Sequence, residues 1–303
     1  MNVYIYEEFI LDKVREDALT GLGYNIKYFP KNGIDNVDDV DIYVGYPSEY
    51  LSKELLPNIK YIQLCSSGFD NIDISGYRSR GVSIANARGV HSIPISEYVL
   101  MYILTVYKQY DLLKQRQDNC EWNKDFSIVT LEKMRVLVLG TGSIGQEIAK
   151  RCKSFNMEII GYNSNGRSID YFDYCVSNEN LSTELGNVDV VVNALPLNDN
   201  TRYLVNEEFV DSLKEGILFI NIGRGQTVDT NALIKSADKF NKIVLDVFEE
   251  EPLPIESELW KHPRFVVTPH SSFYSNKTKE KIWDLAYNNL VAYHEGKEIL
   301  NLL

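Results

Sequence analysis

Three short segments in the second half of the chain carry the side chains best suited to chemistry. NIGRGQTVD (221–229) places Arg224 just beyond an apolar run. LDVFEEEPLP (245–254) holds Asp246 inside another such run and Glu251 directly before Pro252. VVTPHSS (266–272) sets His270 after Pro269. An imidazole titrates near neutrality and can hand over a proton. A carboxylate beside it orients the ring and stabilises the imidazolium. A guanidinium polarises a carbonyl and grips a carboxylate through its planar fork of donors. Singly, each has a plainer reading: a surface arginine, one acid of an EEE run, a histidine satisfied by a backbone carbonyl. Three in order, each just past a strand-like run, read as a set.

A glycine turn precedes them. VLVLGTGSIGQEIAK (136–150) contains G-x-G-x-x-G at Gly140, Gly142 and Gly145, after an apolar strand and at the opening of a helix. That context makes the motif specific for a dinucleotide. Gly140 permits the tight turn, Gly142 lets a pyrophosphate approach the backbone, and Gly145 lets the helix pack on the strand. The helix N-terminus offers unpaired N–H groups to phosphates. Hydride transfer between a nicotinamide and a carbon needs a matching proton on oxygen, which His270 could supply.

The elements that must position these groups are legible as alternating strands and helices. In the first hundred residues, 2–6, 24–29, 41–45, 61–65 and 82–85 read as strands. A periodic apolar stretch, 95–115, predicts one long buried helix bridging two domains, with Pro94 at its start and Ser96 as its cap. Strands follow at 134–140, 157–162, 188–194, 216–222, 242–248 and 264–269, with helical patterns between several of them, as in GSIGQEIAKRCKSF and NALIKSADKF. An amphipathic helix over 276–296 returns to the first domain. The expectation is an α/β protein of two Rossmann-like domains with parallel sheets, the active site in the cleft between them. The discontinuous substrate domain would be 1–95 plus 275–303, and the dinucleotide-binding domain 96–274.

Composition bounds the function. The chain has 303 residues, 44% hydrophobic and 24% charged, as in a globular protein. Its formal net charge of −12 disfavours nonspecific binding to nucleic acid or an anionic membrane. No apolar run approaches the ~20 residues of a membrane span. The N-terminus, MNVYIYEEFILDK, lacks a basic leader, so a cytoplasmic protein is expected. Cys65, Cys120, Cys152 and Cys175 show no C-x-x-C spacing, so neither a metal site nor a disulfide framework is indicated.

The stretch IIGYNSNGRSID (159–170) bears on the cofactor. Asn163 lies 18 residues after Gly145, close to where an acid would bind both ribose hydroxyls of NAD. An acid there would repel a 2′-phosphate by about 4 kcal/mol at ~4 Å and an effective dielectric near 20. Asn163 removes that repulsion, Ser164 and Asn165 add neutral donors, and Arg167 adds a cation. NADP(H) preference is the expectation. A polar surface loop on an NAD enzyme is the plainer reading.

Together these motifs resemble the D-isomer-specific 2-hydroxyacid dehydrogenase family over nearly the whole chain. The resemblance rests on GTGSIG, NIGRGQTVDTNAL, LDVFEEEPLP and VVTPH, and in the first domain on SSGFDNID (66–73) and VSIANARGVHSIPISEYVL (82–100). It implies a hydride transfer between NAD(P)(H) and C2 of a small 2-keto or D-2-hydroxy acid, domain closure over the substrate, and a homodimer. The implied catalytic set is Arg224, Glu251 and His270, with Glu249 and Glu250 solvated. Backbone N–H groups at Ser67 and Gly68, with Arg224, would hold the substrate carboxylate. Ser143 and Ile144 would lie at the pyrophosphate turn. Leu195, Pro196 and Thr201 would lie near the adenosine half, and Ile222 and Asp246 at the nicotinamide. Where related chains often read NTPG, this one reads NARG; Arg88 and His91 then either face an anionic substrate tail or lie on the outer surface of the loop. A corepressor-like protein that senses nucleotide on the same fold is the alternative.

Overall fold

The computed structural model describes residues 1–30, 33–47, 51, 56–69 and 72–303. The chain divides into two compact units, 1–91 with 275–303, and 92–274. In the first unit, β1 (Asn2–Tyr6), α1 (Lys13–Gly21), β2 (Asn25–Phe29), β3 (Ile42–Gly45), β4 (Tyr61–Leu64), α2 (Ile74–Ser79) and β5 (Ser83–Ala85) follow in order. The strands form one parallel sheet, β2-β1-β3-β4-β5. Central β3 and β4 are buried at every position, because helices and loops cover both faces of a parallel sheet. Asp12 caps α1 through Arg15 N–H, and Asp73 caps α2 through Gly76 N–H. Asp70 and Asn71 of the SSGFDNID motif lie outside the described residues.

The second unit opens with a departure from expectation. The stretch read as one helix is two, α3 (Ser92–Tyr107) and α4 (Tyr110–Asp118), separated where Gln109 takes a left-handed φ of 53°. Ile95, Val99, Ile103 and Tyr107 recur every fourth residue and pack on the core beneath, whereas α4 buries no residue. The buried stripe ends where the core ends, and nothing holds the second half in line. Ser96 does not cap: it lies inside α3, and its hydroxyl donates to the Ile93 carbonyl at 2.6 Å.

Then follow β6 (Arg135–Leu139), α5 (Ser143–Lys153), β7 (Glu158–Tyr162), β8 (Tyr174–Val176), α6 (Asn178–Leu185), β9 (Val190–Asn193), α7 (Glu207–Ser212), β10 (Ile217–Asn221), α8 (Thr230–Lys235), β11 (Phe240–Leu245) and β12 (Phe265–Val267). They build a parallel sheet, β12-β11-β10-β9-β6-β7-β8. The short strand β8 was not anticipated; its three residues carry too little pattern to read. Strand order reverses between β6 and β9, the switch point where ligands bind beyond the carboxyl ends of strands. Apolar side chains fill both faces, Leu137, Val191 and Phe219 on one and Val136, Val190 and Leu218 on the other.

The last helix, α9 (Thr278–Glu295), belongs to the first unit and lays Ile282, Trp283, Ala286 and Leu290 onto its core. Gly296, at φ 66°, ends it. Among the described residues, no helix is long and apolar enough to cross a membrane.

Candidate active site

The glycine turn fits a dinucleotide. A Cβ on Gly145 would come within 2.0 Å of the Gly140 carbonyl oxygen, so only glycine lets α5 lie this close to β6. Gly140 sits at φ 102°. At Gly142, by contrast, a Cβ would meet nothing within 4 Å. Its missing side chain leaves room for a ligand rather than for the protein. The first helical bond outside the turn is Gln146 N–H to the Gly142 carbonyl, 2.9 Å. The N–H groups of Ser143, Ile144 and Gly145 precede it and carry the positive end of the helix dipole.

At the end of β7, Asn163 is buried and its amide is fully used. Its Nδ2 donates to the Arg167 carbonyl (2.9 Å) and to Thr141 Oγ1 (3.2 Å), and its Oδ1 accepts Arg167 N–H (3.1 Å). Asn163 is therefore the clasp of the loop, rather than a group presented to a ligand. Ser164, Asn165 and Arg167 remain exposed on the loop it closes. Asn165 Oδ1 accepts from Arg167 Nη1 at 3.2 Å. Among the described residues, no carboxylate pairs with Arg167.

Arg224 follows β10 on a loop built by buried amides. Asn193 Nδ2 at the end of β9 donates to Asn221 Oδ1 (3.0 Å) and Thr227 Oγ1 (2.6 Å). Asn221 Nδ2 and the Thr227 hydroxyl both donate to the Arg224 carbonyl, at 3.3 and 2.6 Å. A Cβ on Gly225 would overlap the Phe248 backbone at 1.9 Å, so this glycine brings the arginine loop against the segment that leads to Glu251. Sequence reading passed over Asn193, Asn221 and Thr227. Their signal was an asparagine closing each of two otherwise apolar strands, VVVN and ILFIN. Leu195, Thr201 and Ile222 are buried nearby. The Thr201 hydroxyl donates to the Pro196 carbonyl at 2.6 Å, which shapes that loop.

His270 and Glu251 meet directly: Nδ1 lies 2.8 Å from Glu251 Oε2. Phe248 N–H donates to the other carboxylate oxygen at 3.0 Å. Burial pushes the Glu251 carboxyl up, but the His270 hydrogen bond, the Phe248 N–H and the charges of His270 and Arg224 outweigh it and hold the group below its usual range. Engagement of Nδ1 leaves Nε2 for a reacting group, and the His270 side chain is 44% exposed. His270 adopts φ 50°, an uncommon conformation for a residue with a Cβ, kept by bonds from its N–H to the Asp246 and Thr268 carbonyls.

Asp246 supplies the rest of that constraint. It is fully buried, and its oxygens accept Ser271 N–H (2.8 Å), Ser272 N–H (3.0 Å) and the Thr268 hydroxyl (2.6 Å). Its carboxylate thus faces the histidine loop and not an open site. Tyr98 on α3 adds a 2.6 Å hydrogen bond to Thr268. Glu249 is not simply solvated: it accepts Thr230 N–H (3.1 Å) and the Tyr203 hydroxyl (2.9 Å), tying α8 to the loop before Glu251. A cavity of about 420 Å³, walled by Phe248, Leu253, Trp260 and Val267, opens beside the histidine–glutamate pair.

In the first unit, the carbonyls of Ser66, Ser67 and Gly68 accept from Ala87 N–H (2.9 Å), Asn86 Nδ2 (2.8 Å) and the Ser66 hydroxyl (2.7 Å). With these carbonyls held, no acceptor among the described residues takes the N–H of Ser67 or Gly68. His91 is buried and hydrogen-bonds the Cys65 backbone; burial holds its pKa down, so it braces the loop from within instead of lying on the outer surface. Arg88 is exposed.

Comparison with known proteins identifies the family. Residues 100–272 match the family described as D-isomer specific 2-hydroxyacid dehydrogenase, NAD binding domain. A glyoxylate reductase of Pyrococcus horikoshii is 32% identical over 277 residues, covering 87% of this chain and 83% of that protein. A family member from Aeromonas salmonicida superposes with a TM-score of 0.83 at 26% identity, covering 100% of this chain and 98% of the other. The D-lactate dehydrogenase of Aquifex aeolicus, solved with NAD and lactic acid, gives 0.80 at 25% identity, covering 97% and 96%. The chain belongs to the D-isomer specific 2-hydroxyacid dehydrogenase family.

Proposed function

We propose that this chain is a 2-keto acid reductase that works on small substrates such as glyoxylate and prefers NADPH. The observation that carries the reading is the 2.8 Å His270–Glu251 pair, beside the Arg224 loop, in a domain of the family's NAD-binding type. A nicotinamide, when bound, would supply the hydride for reduction of the keto group. Gly140, Gly142, Ser143, Ile144 and Gly145 hold its pyrophosphate. Leu195, Pro196 and Thr201 would line the adenosine side, and Ile222 the nicotinamide. Asp246 acts through the histidine loop that it anchors. His270 gives the Nε2 proton to the carbonyl oxygen as C2 is reduced, and Glu251 steadies the imidazolium before transfer. Arg224 polarises the carbonyl and holds the adjacent carboxylate. The N–H groups of Ser67 and Gly68 take the substrate carboxylate.

Cofactor preference follows from the loop that Asn163 closes. Where an acid would repel a 2′-phosphate, this chain has a neutral clasp and an exposed guanidinium at Arg167. A second copy of the chain is the partner this reading favours, with exposed Leu113, Trp122 and Phe126 lining one surface groove. The deciding experiment is a steady-state panel of 2-keto acids with NADPH and NADH. Turnover that disappears in His270→Gln is expected. Cofactor binding without turnover on any keto acid would favour the nucleotide-sensing alternative.

A further inference from the structure

We propose that the segment Leu300–Leu303 is a positioning element for the substrate loop, with Asn301 as its working residue. The inference rests on the assignment of Ser67 and Gly68 to the substrate carboxylate. β5 is the edge strand of the first sheet, and the segment covers it: Ala85 bridges Leu302 in antiparallel fashion, and Leu303 N–H donates to the Ile84 carbonyl at 2.8 Å. Asn301 sits where β5 turns into the loop over 86–91. Its carbonyl accepts Asn86 N–H (3.2 Å), and its Nδ2 donates to the Arg88 carbonyl (2.9 Å). Asn86, itself 4% exposed, passes the constraint on: its Nδ2 donates to the Ser67 carbonyl at 2.8 Å, and its Oδ1 accepts Arg88 N–H at 3.2 Å. The Ser67 carbonyl, which lies between the two substrate-facing N–H groups, is thereby held in one orientation.

The other end of the segment is fixed in the core. Asn289 on α9 is 1% exposed, and its side chain both accepts Leu300 N–H (2.9 Å) and donates to the Leu300 carbonyl (3.0 Å). The same amide donates to Gln63 Oε1 on β4 (2.8 Å), the strand that leads into Ser66–Gly68. Buried amides are costly unless satisfied, and once satisfied they specify a single arrangement. One polar chain thus runs from Gln63 through Asn289, Leu300, Asn301 and Asn86 to Ser67, and both of its ends lie on the strand and loop that carry the substrate N–H groups. Asn301 has φ 59°, a conformation that glycine adopts freely.

That φ makes the test clean. Asn301→Gly keeps the backbone and the Asn86 contact but removes both side-chain bonds with Arg88, Nδ2 to its carbonyl (2.9 Å) and Oδ1 from its Nε (3.4 Å). The expected result is a rise of about 3- to 10-fold in KM for the keto acid, the worth of one or two hydrogen bonds. kcat and KM for NADPH stay within about twofold. Hydrogen exchange at Asn86, Ala87 and Arg88, whose N–H groups are bonded within this network, should quicken, and Asn86→Ala should give a KM effect that does not add to it. Unchanged KM, or keto-acid and NADPH parameters moving together with a lowered Tm, overturns the proposal. Exchange that quickens without a KM change overturns it too, since the segment would then brace the loop without serving the substrate. Wild-type enzyme with no His270-dependent turnover on any keto acid would remove the parent reading instead, a separate result.

Discussion

The second unit has two kinds of strand end. Beyond β10 and β12, the loop that bears each reactive side chain is held by several polar partners: buried Asn193, Asn221 and Thr227 on the Arg224 loop, and buried Asp246 with half-buried Thr268 on the His270 loop. Beyond β7, one side chain, Asn163, closes the loop, and the groups it presents are exposed. The difference matches two tasks. A proton donor works only within a few tenths of an ångström of the reacting atom, so its support must be redundant. A phosphate-binding cation acts over a longer range and tolerates a mobile side chain. The first edge should lose activity steeply when disturbed, and the second should change preference without losing turnover.

The steepest loss is expected at Arg224. Arg224→Gln should lower kcat on an accepted keto acid about 10²- to 10³-fold with little change in NADPH binding. Steady-state kinetics beside a fluorescence titration of NADPH checks both halves, and wild-type kcat would strike Arg224 from the set. Gly225→Ala tests the support and not the reactive group. With Phe248 backbone 1.9 Å from the new Cβ, the loop must move, and a displacement near 1 Å costs about 10²-fold in turnover. Normal kinetics there would mean that the arginine loop is less constrained than its packing implies.

At the other edge the effects are smaller and selective. Arg167→Ala should reduce kcat/KM with NADPH about 10- to 100-fold, the range of a charge-assisted hydrogen bond, and change NADH use by less than about twofold. Equal losses with both cofactors would break the contrast. Asn163→Asp loses the donor to the Arg167 carbonyl and adds a negative charge, so preference should shift toward NADH in the same assay.

The smallest effect concerns stability. Glu251 lies below its ordinary 4.5 in the folded chain, so the unfolded chain binds the proton more readily. Its stabilising contribution is therefore present above about pH 4.5 and is lost as pH falls through the folded value. Urea midpoints of wild type and Glu251→Gln should differ above about pH 4.5 and converge as the pH falls below it. A gap that widens in acid would reverse the sign and sink the assignment.

Much of this was open to reading without coordinates. Apolar strands at period-specific spacing, the glycine turn, and the order of Arg224, Glu251 and His270 are local patterns, and local chemistry is written in local sequence. The break after Tyr107 was not legible, because Gln109 in a left-handed conformation carries no glycine or proline to announce it. Nor was the part played by Asn163. The missing acid pointed to cofactor choice, but the clasp formed with Arg167 and Thr141 depends on two loops brought together by strand pairing. Residue types and spacing determined the family and pointed to the dinucleotide turn and the proposed reactive set. Tertiary structure alone decided which polar groups are spent on the protein itself, as Asp246, Asn193 and Asn301 are, and which are left to face a ligand. A hydrogen bond between residues far apart in the chain exists only once the sheet has aligned their strands, so no spacing along the sequence can encode it.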